Sequence, residues 1–263
     1  MKIGFIGCGN MATAMIKGIL GKGMEAPENI CASAKSEKTR TKIREELQIG
    51  VATNEEVAAG ADVLFLAVKP QFYEEVIAQI RSCVKETAVV VSIAPGKTLA
   101  WLAEQFGKNM KFVRVMPNTP AMVGEGMSGF CTGELVTEEE TRQVRAILES
   151  FGRAEQVPER LMDTVSGVSG SSPAWIFMII EAMADAAVAD GMPRAQAYSF
   201  AAQTVLGSAR LVLESGQHPG ALKDMVCSPG GTTIEAVGVL ESKGLRGALF
   251  EAQRACVRKA RGM

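Results

Sequence analysis

The stretch that decides the fold is Lys2-Ile3-Gly4-Phe5-Ile6-Gly7-Cys8-Gly9-Asn10-Met11-Ala12, an apolar run that turns through the pattern G-x-G-x-x-A into a segment of helical period. Gly7 can adopt a strained turn, Gly9 leaves the backbone open to an approaching group, and Ala12 permits close packing of helix on strand. The N–H groups at the start of such a helix attract an anion. This order predicts a loop that binds the diphosphate of a dinucleotide; a purely structural glycine turn is the alternative. The predicted contacts are Ile6, Gly7, Cys8, Gly9, Asn10, Met11 and Ala12.

Composition favours a globular enzyme that acts on small molecules. The chain has 263 residues, of which 47% are hydrophobic, enough for a substantial core. Its 28 Lys+Arg against 29 Asp+Glu give a net charge of −1, so there is no global attraction to nucleic acid or to an anionic membrane. We therefore expect neither as a partner.

The cysteines and the histidine argue against a disulfide frame and against a metal site. The six cysteines show no C-x-x-C spacing, and His218 is the single histidine. The first apolar run breaks at Gly7 and Asn10, where a signal peptide would continue, so a cytoplasmic chain is expected. The longest uncharged window, residues 164–180, is interrupted by glycines and by Pro173, which predicts no membrane span.

Residues 1–158 alternate between short apolar runs and stretches of helical period. Strand-like runs occur at 3–6, 29–32, 63–68, 88–93 and 111–116, with helix-like stretches such as 71–81 and 98–106 between them. Such alternation predicts βαβ units and a doubly wound parallel sheet of the Rossmann type. Two further runs, 128–131 and 154–157, flank a helix-like stretch at 137–151 and are expected to extend that sheet.

Residues 159–263 are predicted to form an all-α domain. Helical spacing covers 173–190, 193–214 and 233–243. The stretch Trp175–Ile180 and the stretch 197–206 are apolar on almost every side, and such helices must be buried. A single central core helix is one explanation; a second subunit that covers both helices is the one we favour, which makes the chain a homodimer.

The end of the second strand indicates which nucleotide is bound. An NAD site usually has Asp or Glu there, whereas this chain reads Cys31-Ala32-Ser33-Ala34-Lys35. The Ser33 hydroxyl and the Lys35 charge suit a 2′-phosphate, so NADPH is predicted, with NADH as the alternative cofactor. Both residues would also be ordinary in a surface loop.

Three more segments carry candidate site residues. Ala67-Val68-Lys69-Pro70 follows one strand, Arg114-Val115-Met116-Pro117-Asn118-Thr119-Pro120-Ala121 ends another, and Ser228-Pro229-Gly230-Gly231-Thr232-Thr233 opens a helix. The carboxyl ends of parallel strands are where such sheets bind ligands. Each segment alone would also be compatible with an ordinary turn or loop that binds nothing.

Together these segments resemble the pyrroline-5-carboxylate reductase family over residues 1 to about 260. The resemblance implies a Rossmann domain, a helical domain that interleaves with its twin in a homodimer or an oligomer of dimers, and reduction of 1-pyrroline-5-carboxylate to L-proline by NAD(P)H, the last step of proline biosynthesis. One departure is Ser172, where many relatives have glycine.

The resemblance also implies the role of individual residues. Thr233 would be the catalytic contact, its hydroxyl bonding the imine nitrogen, and the substrate would lie on Ser228, Gly230, Gly231, Thr232 and Thr233. The remaining cofactor contacts would be Asn54, Ala67, Val68, Lys69, Pro70, Ile93, Ala94 and Pro95. Asn54 could equally cap a helix, Lys69 could simply begin one, and His218 is expected at a helix start.

Two rivals stay open on the residues alone. Another imine or β-hydroxyacid reductase could use the same architecture, but hydroxyacid chemistry normally needs a lysine or histidine acid/base, and residues 165–217 offer none. A nucleotide sensor without turnover is the second rival.

Overall fold

The computed structural model describes residues 1–262, and within them eight strands form one sheet in the order β3-β2-β1-β4-β5-β6-β7-β8. The strands from β3 to β6 are parallel, which confirms the predicted doubly wound sheet. The bounds are β1 Ile3–Ile6, β2 Ile30–Ser33, β3 Gly50–Val51, β4 Val63–Leu66, β5 Val89–Ser92, β6 Lys111–Met116, β7 Gly126–Thr132 and β8 Gly152–Gln156.

The far edge of the sheet departs from the predicted parallel arrangement. Strands β7 and β8 do extend the sheet, but β7 runs antiparallel to β6, and β8 runs parallel to β7. The cause is the connection after β6, which is a single 3₁₀ turn at Thr119–Val123. A parallel neighbour would need a crossover of a dozen or more residues.

Helices cover both faces of the sheet. One face packs on α1 and α6, and the other on α3, α4 and α5. Side chains of successive residues alternate between the faces, so Phe5 and Phe65 stack at 4.8 Å between ring centres on the first face while Ile6 and Leu66 enter the second. The bounds are α1 Asn10–Gly21, α2 Glu37–Lys42, α3 Asn54–Gly60, α4 Tyr73–Ile80, α5 Leu99–Phe106, α6 Glu138–Glu149 and α7 Met162–Val165.

Contacts divide the chain into two compact units. The first unit comprises Met1–Ser171 and the chain from Cys256 onward, and the second comprises Ser172–Ala255. The division therefore falls later than the predicted boundary after residue 158. The second unit is helical, as predicted, and its helices are α8 Pro173–Ala189, α9 Arg194–Ser215, α10 Pro219–Met225, α11 Thr232–Ser242 and α12 Leu245–Ala260, the last of which ends in the first unit.

The uncharged window of residues 164–180 is helical apart from a turn at Ser172. A 31-residue run, Glu159–Ala189, is long and apolar enough by length and composition alone to cross a membrane, a test that core helices of soluble proteins also pass. Gly167 and Gly170 lie within helical geometry, because a π-helical turn at Ser166–Ser171 includes both residues. Pro173 stands at the first position of α8, where a helix does not need its N–H group.

Candidate active site

The glycine loop joins β1 to α1 in the first unit. Gly7 has a φ of +90°, and a Cβ there would lie 2.8 Å from Val68 Cγ1, so both conformation and space require glycine. Gly9 precedes α1 in an extended conformation, and a Cβ there would meet nothing within 4 Å. The space in front of Gly9 is open, as a bound diphosphate requires.

The start of α1 is left free for an anion. Within the described part of the chain, no side chain caps this helix and no acidic residue lies in its first turn. Cys8, between the two glycines, is buried, and its Sγ lies 3.8 Å from Thr13 Oγ1. Burial raises the pKa of the Cys8 thiol. The loop therefore carries no thiolate, and its N–H groups and helix dipole fit a diphosphate.

Ser33 lies at the carboxyl end of β2, next to this loop. The residue is buried, and its Oγ accepts a hydrogen bond from Gly7 N at 3.3 Å. A hydroxyl that accepts one bond still has its own hydrogen to donate. Lys35 is exposed in the turn that follows. Sequence reasoning missed Arg40, whose Nε donates to Ala34 O at 2.8 Å and whose guanidinium therefore lies over the same turn.

Asn54 is the first residue of α3, after the short edge strand β3. The alternative role of Asn54 as the helix cap is wrong, because Thr53 is the N-cap and forms a capping box with Glu56. The Asn54 amide instead donates to Gln79 Oε1 of α4 at 2.8 Å. Its side chain is thus held between two helices at the carboxyl end of the sheet.

The loops after β4 and β5 leave the same edge of the sheet. Ala67 N donates to Ile6 O at 2.9 Å, so the β4 loop runs beside the glycine loop. Ile93 N donates to Leu66 O at 3.4 Å, so the β5 loop begins beside the end of β4. Ala67 and Val68 are partly buried, Lys69 and Pro70 are exposed, and Ala94 is buried while Pro95 is exposed. These residues, together with Gly7 and Ser33, lie at or just after the carboxyl ends of adjacent strands, the edge where sheets of the Rossmann type bind ligands.

Tyr73 binds the strand ends at this edge of the sheet, a role that the sequence did not predict. Its hydroxyl donates to Leu66 O at 2.5 Å and accepts from Ser92 Oγ at 3.3 Å, so it joins the last residues of β4 and β5. Burial raises the pKa of Tyr73 to about 12. The phenol therefore stays protonated and anchors the two strand ends. The sequence signal was an aromatic residue at the start of a helix, which by itself indicates only core packing.

The R-V-M-P-N-T-P-A segment is a structural junction within the first unit. Asn118 is buried; its amide donates to Ser169 O at 3.0 Å, and its Oδ1 accepts from Met127 N at 2.8 Å. The segment thus ties the end of β6 to β7 and to the π-helical turn.

The S-P-G-G-T-T loop lies in the second unit, between α10 and α11. Gly231 N donates to Ser228 O at 3.0 Å across Pro229 and Gly230, and Gly230 has a φ of +67°. Proline followed by a glycine of positive φ is the pattern of a type II turn. A Cβ at Gly231 would lie 2.4 Å from Ser228 Oγ, so a larger residue there would force the Ser228 hydroxyl into another rotamer.

Helix α11 begins directly after this turn. Gly231 is its N-cap, and no side chain in the described part of the chain caps it. Thr232 and Thr233 form its first two positions, with Thr233 partly buried. The N–H groups in the first turn of this helix can donate hydrogen bonds to a small carboxylate.

His218 has a structural role, and the described residues contain no cluster of metal ligands. His218 is the N-cap of α10, where its Nδ1 accepts from Gly220 N at 3.0 Å, so its expected place at a helix start is confirmed. Over residues 1–262, no group of three or more His, Cys, Asp or Glu side chains could hold a metal ion.

Comparison with known proteins agrees with this geometry. Residues 159–263 match the family model described as pyrroline-5-carboxylate reductase dimerisation, and residues 2–96 match the model described as NADP oxidoreductase, coenzyme F420-dependent. A pyrroline-5-carboxylate reductase of Escherichia coli K12 is 52% identical over 260 residues, which cover 98% of this chain and 97% of that protein.

Solved structures agree as well. A pyrroline-5-carboxylate reductase of Coxiella burnetii has a TM-score of 0.93 at 36% identity, covering 99% of this chain and 97% of that chain. A Plasmodium falciparum pyrroline carboxylate reductase, solved with NADP bound, has a TM-score of 0.90 at 32% identity, covering 100% of this chain and 97% of that chain.

Proposed function

The chain belongs to the pyrroline-5-carboxylate reductase family, and we propose that it reduces the C=N bond of 1-pyrroline-5-carboxylate to give L-proline, with NADPH as the reductant. It is an oxidoreductase of proline biosynthesis, and in its finer class it acts on the CH–NH group of donors. The observation that carries the proposal is the S-P-G-G-T-T turn, which leaves the start of α11 without a side-chain cap, as the glycine loop leaves the start of α1.

The first unit supplies the nucleotide site. The diphosphate would lie on the N–H groups of the glycine loop, where Gly9 leaves open space. Ser33 and Lys35 would hold the 2′-phosphate, and Asn54 the adenosine ribose. Ala67, Val68, Lys69 and Pro70 would line the dinucleotide. Ile93, Ala94 and Pro95 would lie near the nicotinamide. When bound, NADPH supplies the hydride.

The second unit supplies the substrate loop. The substrate carboxylate would lie on the loop of Gly230, Gly231 and Thr232, with Ser228 adjacent, because a helix start attracts an anion. The N–H groups of Gly230 and Thr232 would bind it, since the Gly231 N–H already closes the turn to Ser228 O. The Thr233 hydroxyl would bond the ring nitrogen and so orient the imine carbon. A pyrroline nitrogen is basic enough to be protonated without a strong acid on the protein. Catalysis by these residues is therefore mainly positioning.

The second unit also favours a homodimer. Phe177 is 61% exposed and Phe200 is 65% exposed, and an open groove of about 330 Å³ beside Phe177 runs between α8 and α9. Soluble chains rarely leave such apolar surface uncovered. We take residues 1–158 as the nucleotide-binding part and residues 159–263 as the dimerisation and substrate-binding part of a cytoplasmic homodimer, with an oligomer of dimers as an extension.

One assay tests the reaction. We expect NADPH oxidation, followed at its nicotinamide absorbance, to depend on 1-pyrroline-5-carboxylate and to be faster than with NADH. NADP⁺ reduction with 3-hydroxyacids serves as the comparison. Turnover only with hydroxyacids would assign the chain to the rival reductases, and nucleotide binding without turnover of either substrate would make it a sensor.

A further inference from the structure

A buried cation in the first unit joins strand β6 to the helical run that begins at Glu159. Arg114 in β6 has a side chain that is only 5% exposed. Its NH1 lies 3.5 Å from Glu159 Oε1, and its NH2 lies 3.2 Å from Asp163 Oδ1 in α7. A guanidinium at this depth requires charged partners, so Glu159 and Asp163 are held against β6.

Glu159 makes a second contact, to the helix after the β5 loop. Its Oε1 accepts a hydrogen bond from Leu99 N at 2.8 Å, and Leu99 is the first residue of α5. A carboxylate at a helix start is stabilised by the exposed N–H groups and by the helix dipole. Residues 93–98 thus run between two fixed points, the end of β5 and a helix start that Glu159 holds.

We propose that Glu159, itself held by Arg114, is a positioning residue for the loop of residues 93–98. The inference rests on the proposed function, in which Ile93, Ala94 and Pro95 of this loop line the nicotinamide. Hydride transfer depends on placement to a fraction of an ångström, so a loosened loop slows the reaction. The diphosphate loop of Gly7 and Gly9 is held by other contacts, so affinity for the nucleotide is kept.

The chain offers a matched control at the other end of β6. Lys111 Nζ lies 2.6 Å from Glu140 Oε1, and Glu140 belongs to the capping box of α6. Glu140 therefore makes the same kind of contacts as Glu159, because it joins a cation of β6 to a helix start. It does so at the amino end of the strand, away from the cofactor edge.

The experiment compares Glu159→Ala, Glu159→Gln and Glu140→Ala. Glu159→Gln keeps an oxygen that accepts from Leu99 N, whereas Glu159→Ala does not. We expect Glu159→Ala to lower kcat about fivefold or more with less than about a twofold change in the Kd for NADPH, and Glu159→Gln to restore most of kcat. Glu140→Ala should lower thermal stability without lowering kcat.

A fluorescence readout is independent of turnover. Trp101 lies in α5, with Lys97 Nζ 3.8 Å from its ring centre, and Trp175 is the other of the two tryptophans. In a Trp175→Phe background, energy transfer from Trp101 to bound NADPH should change in Glu159→Ala and return in Glu159→Gln.

The outcomes separate this inference from the proposed function. Equal loss of kcat in Glu159→Ala and Glu140→Ala, or unchanged energy transfer, would overturn the positioning role. An unmodified chain without turnover of 1-pyrroline-5-carboxylate would overturn the proposed function, and the energy transfer would then decide the positioning role alone.

Discussion

The two units of this chain differ in where their large apolar side chains lie. In the first unit, phenylalanine, isoleucine and valine from the strands fill two clusters, and Phe5, Phe65 and Phe130 are fully buried. In the second unit, the one buried cluster of the described residues is formed by Ala184, Ala197 and Ala201, while Phe177 and Phe200 face outward. The first unit can close its core within one chain. The second unit has enough apolar side chains for a core but leaves the largest of them exposed, which is why we propose that a second copy of the chain covers them.

The largest effect should come from charging the uncovered face. Phe200→Asp would bury a carboxylate without a partner in the proposed dimer, at a cost of several kcal/mol. We expect light scattering at micromolar concentration to give the variant the mass of one chain instead of two. We also expect the variant to lose its activity. Leu135→Asp is the control, because Leu135 is an exposed leucine of the first unit, 51% exposed. A stable, active monomer of the unmodified chain would refute the interleaved arrangement.

Mixed dimers sharpen the same comparison. Gly9→Asp should block the diphosphate without a clash, since the space beside Gly9 is open, and Thr233→Ala should disable the substrate loop. If each site combines the first unit of one subunit with the second unit of its twin, a dimer of one variant chain of each kind should regain activity in one of its two sites. A mixed dimer with no activity would instead assign both parts of a site to one chain.

Thr233→Ala tests the substrate loop on its own. Loss of one hydrogen bond of about 1–3 kcal/mol to the imine nitrogen should lower kcat/KM by roughly 5- to 150-fold. Steady-state kinetics with 1-pyrroline-5-carboxylate measures this, and NADPH binding should be unchanged. Thr141→Ala is the matched control, because Thr141 on α6 bonds only Thr137 O among its described partners. Unchanged kinetics in Thr233→Ala would remove this hydroxyl from the site.

Lys35→Ala tests the cofactor preference of the first unit. If the Lys35 charge meets the 2′-phosphate, a contact of about 1.5–3 kcal/mol, the KM for NADPH should rise several-fold or more while the KM for NADH barely changes. Lys38→Ala, at an exposed lysine of α2, should change neither. Equal effects of Lys35→Ala on both cofactors would make Lys35 an ordinary surface charge and leave Arg40 as the candidate cation.

The smallest effect concerns a buried hydroxyl group without a hydrogen-bond partner in the core of the first unit. Ser128 Oγ is buried without a hydrogen-bond partner among residues 1–262, whereas buried Ser150 Oγ donates to Ile147 O at 2.7 Å. Ser128→Ala should therefore raise the free energy of unfolding by up to about 1 kcal/mol, and Ser150→Ala should lower it by a similar amount. Urea denaturation measures both. A loss of stability in Ser128→Ala would indicate a bound water at this hydroxyl.

The sequence predicted those parts of the molecule that depend on a repeated local pattern. β1, β4, β5 and β6 are runs of apolar residues, and the glycine loop has a fixed spacing, so the sheet and the diphosphate loop were recognisable. β3 has only two residues and therefore no period to detect. The direction of β7 depends on how the chain turns after β6, which no local pattern specifies.

Contacts between distant residues could not be predicted from the pattern. The Ser33 hydroxyl was expected to face a phosphate, and its bond to Gly7 N depends on two strands lying side by side. Arg114 belonged to a recognised segment, but its partners lie far along the chain and show no spacing to detect. The roles of the site residues remain predictions, since they depend on the two units and on the bound molecules together.

The grouping of the last part of α12 with the first unit has a consequence for synthesis. Cys256 Sγ donates to Ser171 Oγ at 3.2 Å, and residues from Cys256 onward belong with Met1–Ser171. The ribosome therefore releases nearly all of the first unit, then the apolar helices α8 and α9, and only afterwards the segment that completes the first unit. Nascent chains on one messenger carry uncovered α8 and α9 at the same time and close together. Pairing of two such chains during translation would cover these helices before they meet other proteins.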